Sequence, residues 1–314
     1  MNIYLQGFTV MFLSILLEAM PFILLGTLVS SLIHLYLGEE TLARLLPRNS
    51  LFGLLISSLL GFAFPVCECA IVPIVRGLLR KGVPVGMAVT FMLAVPIVNP
   101  VVLASTHYAF GGSAAVAFLR ALAGIVIAIF VGELMGRLFA DRNPLLKGDR
   151  HQHSHDCVHG HPGHNHDHAP ASSWRERGIL QHLLGVLQHT GEELFDIGRY
   201  LIIGAGLSAA AQTLVPRQWL LAIGQGELSS ILVLMALAFL LSLCSEADAF
   251  IARTFVGQFT GGSILAFLVY GPMIDLKNVI LLLGSFERRF VLRLVTAVSA
   301  AVLTVALLAN QFGF

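Results

Sequence analysis

The chain has 314 residues, of which 56% are hydrophobic and 12% charged. Soluble domains carry about 25% charged residues, so this composition excludes a soluble globular protein and predicts an all-α polytopic membrane protein. A formal net charge of +1 offers no basic surface for nucleic acid. The four cysteines are too few and too scattered for a disulfide-rich secreted scaffold.

Eight apolar segments are long enough to span a bilayer, which takes about 20 helical residues. They lie near residues 8–35, 51–75, 83–106, 113–136, 194–214, 228–250, 258–283 and 290–312. We therefore predict about eight transmembrane helices with proline breaks near the midplane. Four lie in residues 1–136 and four in residues 191–314, joined by an extramembrane loop at residues 137–190.

The two halves share short motifs in the same order. Residues 18–26 align with 196–204, residues 65–70 with 242–247, residues 96–99 with 272–275, and residues 118–120 with 291–293. Internal repeats are a common transporter architecture, and their binding sites lie at the interface between repeats. The alignment predicts two four-span repeats, which are parallel if every span crosses; a re-entrant segment would change this topology.

The placement of lysine and arginine predicts the orientation, because these residues accumulate on the cytoplasmic side. If the chain has eight spans, ten lysine and arginine residues fall on the side of the central loop. Five fall on the other side, and these include Arg288 and Arg289. Both termini and the loop are therefore expected in the cytoplasm.

The second span contains Cys67, Glu68 and Cys69 between Pro65 and Pro73. The prolines interrupt helical hydrogen bonding, and a non-helical Cys-x-Cys pair can present both sulfurs to one ion. Thiolates are soft ligands that select Cu(I), zinc and related ions. Two cysteines that only fill the core are the alternative, but the carboxylate between them has no packing role in lipid. We predict that these three residues bind the substrate.

The equivalent position of the second half supplies Cys244 and Glu246 at membrane depth. If the halves meet at their second spans, Cys67, Cys69 and Cys244 form a three-sulfur site. An intramembrane acid is a functional candidate because isolated charge there is costly. Asp248 could have such a role, or it could lie at the end of the span with its carboxylate extended toward the headgroups. The sequence supports both interpretations equally.

In the third spans, Asn99 and Asp275 each follow a proline by three residues. Broken helices expose helix ends and backbone groups to a substrate, so both residues are candidates for the transport site. Capping of the resumed helix explains Asn99 equally well, and an ion pair with Lys277 is the alternative for Asp275.

Four charged residues occupy equivalent places in the first and fourth spans: Glu18, Asp196, Arg120 and Arg293. Either arginine could neutralise either acid inside the bundle. We assign them a supporting electrostatic role, with a structural ion pair favoured over contact with a substrate.

The central loop holds a dense tract of metal-ligating side chains. They are His151, His153, His155, Cys157, His159, His161, His164, His166 and His168. Imidazole suits zinc, copper and nickel, and His-rich tracts are typical of metal-binding segments. The interleaved glycine and proline residues predict a flexible metal-capturing segment without a closed cage.

Residues 65–70, the motif at residues 96–100 and the four-plus-four repeat resemble the bacterial predicted permeases related to the organoarsenical efflux permease. The His-rich loop is similar to the branch described as copper/zinc efflux transporters. The resemblance implies an exporter of soft metal species in the bacterial inner membrane, with Cys67, Glu68 and Cys69 as substrate ligands. It does not extend to Cys244, which comes from the repeat alignment.

The leading hypothesis is a secondary exporter of copper or zinc ions, in which Glu68, Glu246 and Asp275 are candidate proton carriers. Efflux of trivalent organoarsenicals is the alternative, and it leaves the His tract unexplained. A metal sensor or scaffold without transport is the third hypothesis. An enzyme is not expected, because His-Glu-x-x-His and a P-loop are absent and Cys-x-Cys is not the usual redox spacing.

No tightly bound cofactor is expected besides the transported copper or zinc ion. The expected partners are metal ions and the lipid bilayer, nucleic acid is not expected, and self-association into a homo-oligomer stays open.

Overall fold

The computed structural model describes residues 2–36, 51–63, 67–140, 144–146, 179–214 and 226–312. These described residues are mostly helical and contain no β-strand, which confirms the all-α polytopic class. In chain order the helices are α1 (Asn2–Tyr36), α2 (Leu51–Ala63), α3 (Glu68–Arg80), α4 (Val85–Val98), α5 (Pro100–Ala109), α6 (Ala114–Leu138), α7 (Ile179–Leu214), α8 (Glu227–Leu241), α9 (Asp248–Arg253), α10 (Gly261–Met273), α11 (Leu276–Ser285) and α12 (Arg288–Gln311). The His-rich tract at residues 151–168 lies outside the described residues.

Contacts between helix termini identify the two ends of the bundle. At the first, which we call the loop end, the Glu287 N–H donates to the Pro144 carbonyl at 2.9 Å. Pro144 follows α6 and Glu287 precedes α12, so α6 ends and α12 begins here. At the other, the far end, the Gly262 N–H donates to Asn310 Oδ1 at 2.8 Å, which brings the start of α10 to the end of α12.

The first hairpin, α2–α3, enters and leaves the bundle at the loop end. Leu54 in α2 lines the same cavity as Pro84, which follows α3, and Arg137 in the last turn of α6. Helices α2 and α4 run side by side in the same direction, with Gly61 packed against Val95. Because α3 returns to the end at which α2 began, this hairpin does not cross the bundle.

The second hairpin, α8–α9, enters and leaves at the far end. Ser230 Oγ in the first turn of α8 lies 3.3 Å from Thr260 Oγ1, just before α10. Arg253, the last residue of α9, lies over the ring of Phe110, which precedes the start of α6 at this end. The two hairpins therefore point into the bundle from opposite ends.

The described residues do not confirm eight crossings. Six segments are long and apolar enough to cross a membrane: Leu5–Leu32, Val85–Ala109, Ala114–Leu138, Thr190–Leu214, Gly261–Ser285 and Arg288–Gln311. The second predicted span of each half is a re-entrant hairpin instead. Apolar length, on which the sequence prediction depends, is the same for a chain that crosses and a chain that turns back. Cys67 and residues 242–247, which are not helical, allow the turns.

Each re-entrant hairpin reverses the direction of every span that follows it. Arg288 and Arg289 consequently lie at the loop end and Arg253 at the far end, the reverse of the sequence-based count. Helix α12 ends at the far end. The C-terminal part of α1 lies at the loop end, where Ser30 packs against Gly77 near the end of α3, so α1 begins at the far end. The helices nearest both termini thus begin or end opposite the loop, and not on its side as predicted.

Part of the predicted loop at residues 137–190 belongs to the bundle. Helix α7 begins at Ile179, inside the predicted loop. The sequence prediction missed residues 179–190 because their mixed polarity does not register as a membrane span. Leu145 is fully buried, and the neighbouring Leu146 N–H donates to the Ser285 carbonyl at 3.3 Å.

The two most enclosed spans are those that contain a helix break. In Val85–Ala109 and Gly261–Ser285, 78% and 83% of the apolar window is buried, against 17–39% in the other four spans. Pro96 and Pro272 each lie within the last turn before a break. Pro73, by contrast, lies inside α3 and does not end it. These breaks place polar helix ends inside the bundle, where lipid does not reach them.

Candidate functional site

The tips of both hairpins meet α1 and α11 around one small cavity. The cavity is small, with a volume of about 10 Å³. The cavity is lined by Ile15, Glu18, Ala19, Phe22, Cys67, Glu68, Cys69, Cys244 and Lys277. The three cysteines that the sequence grouped together therefore line a common cavity, which lies between the two halves of the chain.

The backbone at the first tip explains how two thiols share this cavity. Cys67 is the N-cap of α3 with φ −80° and ψ 170°, and Cys69 lies in its first turn. In a continuous helix, side chains two residues apart would diverge by about 200°, but the extended residue turns both toward the cavity. Pro73 has no N–H for the Cys69 carbonyl, which consequently loses its helical donor.

Glu68 is the most enclosed acid of the cavity, with 1% of its surface exposed. Its Oε1 accepts a hydrogen bond from Lys277 Nζ at 3.3 Å, whereas Oε2 has no hydrogen-bond partner among the described residues. Lys277 Nζ also lies 3.9 Å from Asp275 Oδ2. A buried charge is costly unless it is paired, so this ammonium stabilises two acids at once.

The second tip places Cys244 opposite the first. Ser242 adopts a left-handed conformation (φ 43°, ψ 48°) that ends α8, and its hydroxyl accepts a hydrogen bond from Ser208 of α7 at 3.1 Å. Cys244 is half-buried and lies beside Glu18. Glu246 is on the same tip and is also half-buried, but it does not line the cavity.

Arg120 holds this second tip in place. Its guanidinium is fully buried and donates to Asp248 Oδ2 and to Thr106 Oγ1, both at 2.7 Å. It also donates to the Ser245 carbonyl at 3.2 Å. Arg120 thus forms the structural ion pair that was favoured, but with Asp248 instead of Glu18 or Asp196, the acids suggested for it. The second hairpin enters from the far end, where α6 begins, so Asp248 reaches Arg120 and is buried instead of reaching toward the headgroups.

The remaining supporting charges lie apart from the cavity. Asp196 is half-exposed and pairs with Arg76 and Arg199, both at 3.7 Å. Arg293 is exposed and lies over the ring of Phe139, with 5.4 Å from Cζ to the ring centroid. The four equivalent charges of the first and fourth spans thus do not form one network, because α7 and α12 present these residues near the loop end.

Asn99 and Asp275 both cap a resumed helix. Asn99 Oδ1 accepts from the Val101 N–H at 2.9 Å, and Asp275 Oδ1 accepts from the Asn278 N–H at 2.5 Å. Asn99 does not line the cavity, whereas Asp275 reaches it through Lys277.

Among the described residues, no three His, Cys, Asp or Glu side chains converge closely enough to hold a metal ion. The loop histidines, His151 to His168, and Cys157 lie outside the described residues.

Sequence reasoning missed the importance of Lys277. It was considered only as a partner of Asp275, yet its ammonium lies in the wall of the cavity beside Glu68. A signal was available, because a lysine inside an apolar span requires a buried acidic partner, and Glu68 is the acid that the motif left unpaired.

Two glycines bring α1 and α7 against the helices that carry the site. A Cβ on Gly26 would lie 2.6 Å from the Ala70 carbonyl oxygen, and one on Gly204 would lie 3.2 Å from that of Lys277. These two glycines are equivalent in the repeat alignment. Close helix contact at small residues is a common packing device in membranes.

We expect Gly26→Ala to push α1 away from α3 and to destabilise the fold by about 1–3 kcal/mol, the usual cost of overpacking. Gly198→Ala in α7 is the matched control, because nothing lies within 4 Å of the added methyl group. Thermal unfolding in detergent measures both variants. Equal stability of the two would contradict the close contact at Gly26.

The family model ArsP_1, described as "Predicted permease", matches residues 4–311. The UPF0718 protein YcgR of Bacillus subtilis is 46% identical over 297 residues, which cover 95% of each chain. A Streptococcus mutans protein named "Putative two-component membrane permease complex subunit" is 39% identical over 297 residues, 95% of this chain and 93% of that protein. The UPF0718 protein YraQ of Escherichia coli is 30% identical over 112 residues, 35% of this chain and 32% of the relative. No solved structure matches this chain significantly.

Proposed function

Because this chain belongs to the predicted permease family, we propose that it is a secondary exporter of copper or zinc ions that pass between the two hairpin tips. The multi-pass helical fold and the family support a membrane permease rather than an enzyme. The identity of the cargo and its direction are our proposal, and the following observations support them.

One observation carries the choice of a soft metal ion. Cys67, Cys69 and Cys244 line the same cavity as Glu68, whose Oε2 has no hydrogen-bond partner among the described residues. Thiolates bind Cu(I) and zinc, and a carboxylate can complete a zinc site. The His-rich tract at residues 151–168 favours a metal ion over a trivalent organoarsenical, which would leave that tract without a role.

The two halves are proposed to form an inverted-topology repeat. In the part of the chain that the structure describes, each half has three spans and one re-entrant hairpin, and the hairpins enter from opposite ends. Transporters with inverted repeats bind their cargo where discontinuous helices of the two repeats meet near the midplane. Opening of the path on one side of the tips and then on the other would give alternating access.

The loop end is proposed to face the cytoplasm. Arg80, Lys81, Arg137, Arg288 and Arg289 lie at the loop end, whereas Arg253 lies at the far end. Among the described residues these basic side chains are therefore concentrated at the loop end, and cytoplasmic ends of spans are rich in lysine and arginine. The His-rich tract, which follows α6, would then collect metal from the cytoplasm of a bacterial inner-membrane exporter.

Proton exchange is the proposed energy source. Metal ligands must lose their protons before they bind a metal, so cargo release can be coupled to proton uptake. The candidate carriers are Glu68 at the tip of the first hairpin, Glu246 at the tip of the second, and Asp275 at the break between α10 and α11.

Flux into oriented proteoliposomes tests the function. Cu(I), Zn²⁺ and methylated As(III) are supplied separately, with and without a pH gradient, to the purified full-length protein. We expect saturable flux of Cu(I) or Zn²⁺ that the gradient accelerates. Flux of methylated As(III) alone would establish the organoarsenical alternative, and metal binding without flux would establish a sensor or scaffold.

Deletion of residues 151–168 is expected to raise the half-saturating metal concentration several-fold and to leave the maximal flux unchanged. The tract raises the local metal concentration near the entrance without adding a contact in the cavity. Imidazole binds metal only when neutral and is half protonated at about pH 6.5. The intact chain should therefore lose this advantage between pH 7.5 and pH 5.5, whereas the deletion variant has none to lose. Complete loss of flux at saturating metal would assign the tract to the transport site.

A further inference from the structure

Lys277 places a positive charge in a cavity that otherwise holds acids, thiols and apolar groups. The residue is 5% exposed, and its ammonium lies 3.3 Å from Glu68 Oε1 and beside Cys69. A metal cation that uses Glu68 and these thiols would have to share the same small space. Two like charges repel strongly at such distances where water is excluded, so the ammonium and a metal ion compete for Glu68.

We propose that Lys277 is a tethered cation that closes the empty site, and that an incoming metal ion displaces it from Glu68. This inference rests on the proposed function, since it names how the same cavity selects and releases its cargo.

The structure provides a second anchor for the displaced ammonium. Asp275 Oδ2 lies 3.9 Å from Lys277 Nζ and accepts no hydrogen bond among the described residues. Asp275 Oδ1 accepts a hydrogen bond from the Asn278 N–H at 2.5 Å, which fixes the carboxylate. Oδ2 is then available to accept a hydrogen bond from the Lys277 ammonium. A change of side-chain torsions in Lys277 moves its charge from Glu68 to Asp275.

The same exchange serves release. When the path opens to the other side, the ammonium can return from Asp275 to Glu68 and compete with the metal ion for that carboxylate. Glu68 thus alternates between the Lys277 ammonium, the transported cation and the exchanged proton, and it is never left as an unpaired buried charge, which would be costly. A lysine in this position favours a cargo that binds soft ligands tightly over a hard cation such as Mg²⁺, which depends on carboxylate oxygens.

Two substitutions with opposite expected effects test the exchange in the full-length protein. Initial flux is measured against free Zn²⁺ and against free Cu(I) in proteoliposomes. Lys277→Gln removes the competitor, so we expect a half-saturating concentration about tenfold lower and a reduced maximal flux, because release is slowed. Asp275→Asn removes the second anchor and should raise the half-saturating concentration about tenfold. Asparagine caps a helix as well as aspartate does, so α11 is preserved.

Lys81→Gln at the loop end of α3 is the control and should keep the parent values for both quantities. If the parent transports metal and Lys277→Gln leaves the half-saturating concentration unchanged or raises it, the tethered-cation proposal is overturned. If Lys277→Gln does not assemble, judged by size-exclusion chromatography, Asp275→Asn decides alone: an unchanged or lower value overturns the proposal. Absence of metal flux in the parent protein would instead refute the proposed function.

Discussion

Replacement of Cys67 or Cys69 by serine is expected to abolish metal flux in proteoliposomes and metal resistance in cells, while the amount of protein in the membrane stays the same. Serine preserves the size of the side chain but exchanges a soft sulfur for a hard hydroxyl oxygen. Both thiols line the cavity from the tip of the first hairpin. Neither sulfur can take over the position of the other unless the backbone moves.

Cys244→Ser should have a smaller effect on Zn²⁺ than on Cu(I). Zinc accepts oxygen ligands and can complete its tetrahedron with Glu68 or water, whereas a three-coordinate soft ion needs the third sulfur. Met92→Leu is the control, because Met92 is a buried sulfur of α4 that does not line the cavity, and this exchange nearly conserves volume. Parental resistance in Cys67→Ser or Cys69→Ser would exclude a thiolate site.

The sequence predicted the membrane class and much of the cavity. A low content of charged residues and the presence of long apolar segments can be seen in the sequence itself, because neither depends on tertiary packing. The position of Cys244 beside Cys67 and Cys69 followed from the repeat alignment, because equivalent segments of two repeats meet at their interface. A metal-binding role for the three thiols stays a prediction.

The turn at each hairpin could not be predicted from the sequence. A segment of about 25 apolar residues can cross the membrane or return, and contacts with distant helices decide between the two. The cavity that Leu54 shares with Pro84, and the approach of Ser230 Oγ to Thr260 Oγ1 at 3.3 Å, show such proximity. The predicted sides of the termini and of Arg288 and Arg289 were wrong as a consequence, because each re-entrant hairpin reverses the direction of every later span.

The partner of Arg120 was mispredicted for the same reason. Alignment of equivalent positions suggested Glu18 or Asp196, since these acids occur at matching places in the two halves. The structure pairs Arg120 with Asp248, which the second hairpin carries in from the far end. A similar link joins Lys277 to Glu68, so each hairpin tip is tied to a basic residue from the other half of the chain.

Loss of the Arg120 guanidinium is expected to cause the largest decrease in stability. Arg120→Met leaves Asp248 buried, at 2% exposure, without its partner, and removal of one member of a buried pair costs about 3–5 kcal/mol. The double variant Arg120→Met with Asp248→Leu removes both charges and should recover most of this loss, because apolar replacements of a buried pair are often tolerated. The free energy of unfolding in detergent measures both variants.

Arg137→Met in the same helix provides the matched control. Arg137 pairs with Glu133 at 2.7 Å, but its side chain is 79% exposed, and an exposed pair of this spacing contributes only about 0.5 kcal/mol. A loss in Arg120→Met as small as that in Arg137→Met would show that Asp248 finds another partner or water. Recovery of stability in the double variant without recovery of flux would show that Arg120 also positions Cys244, because its guanidinium donates to the Ser245 carbonyl next in the chain. Full recovery of flux would confine Arg120 to a structural role and leave the second tip positioned by the hydrogen bond between Ser208 and Ser242.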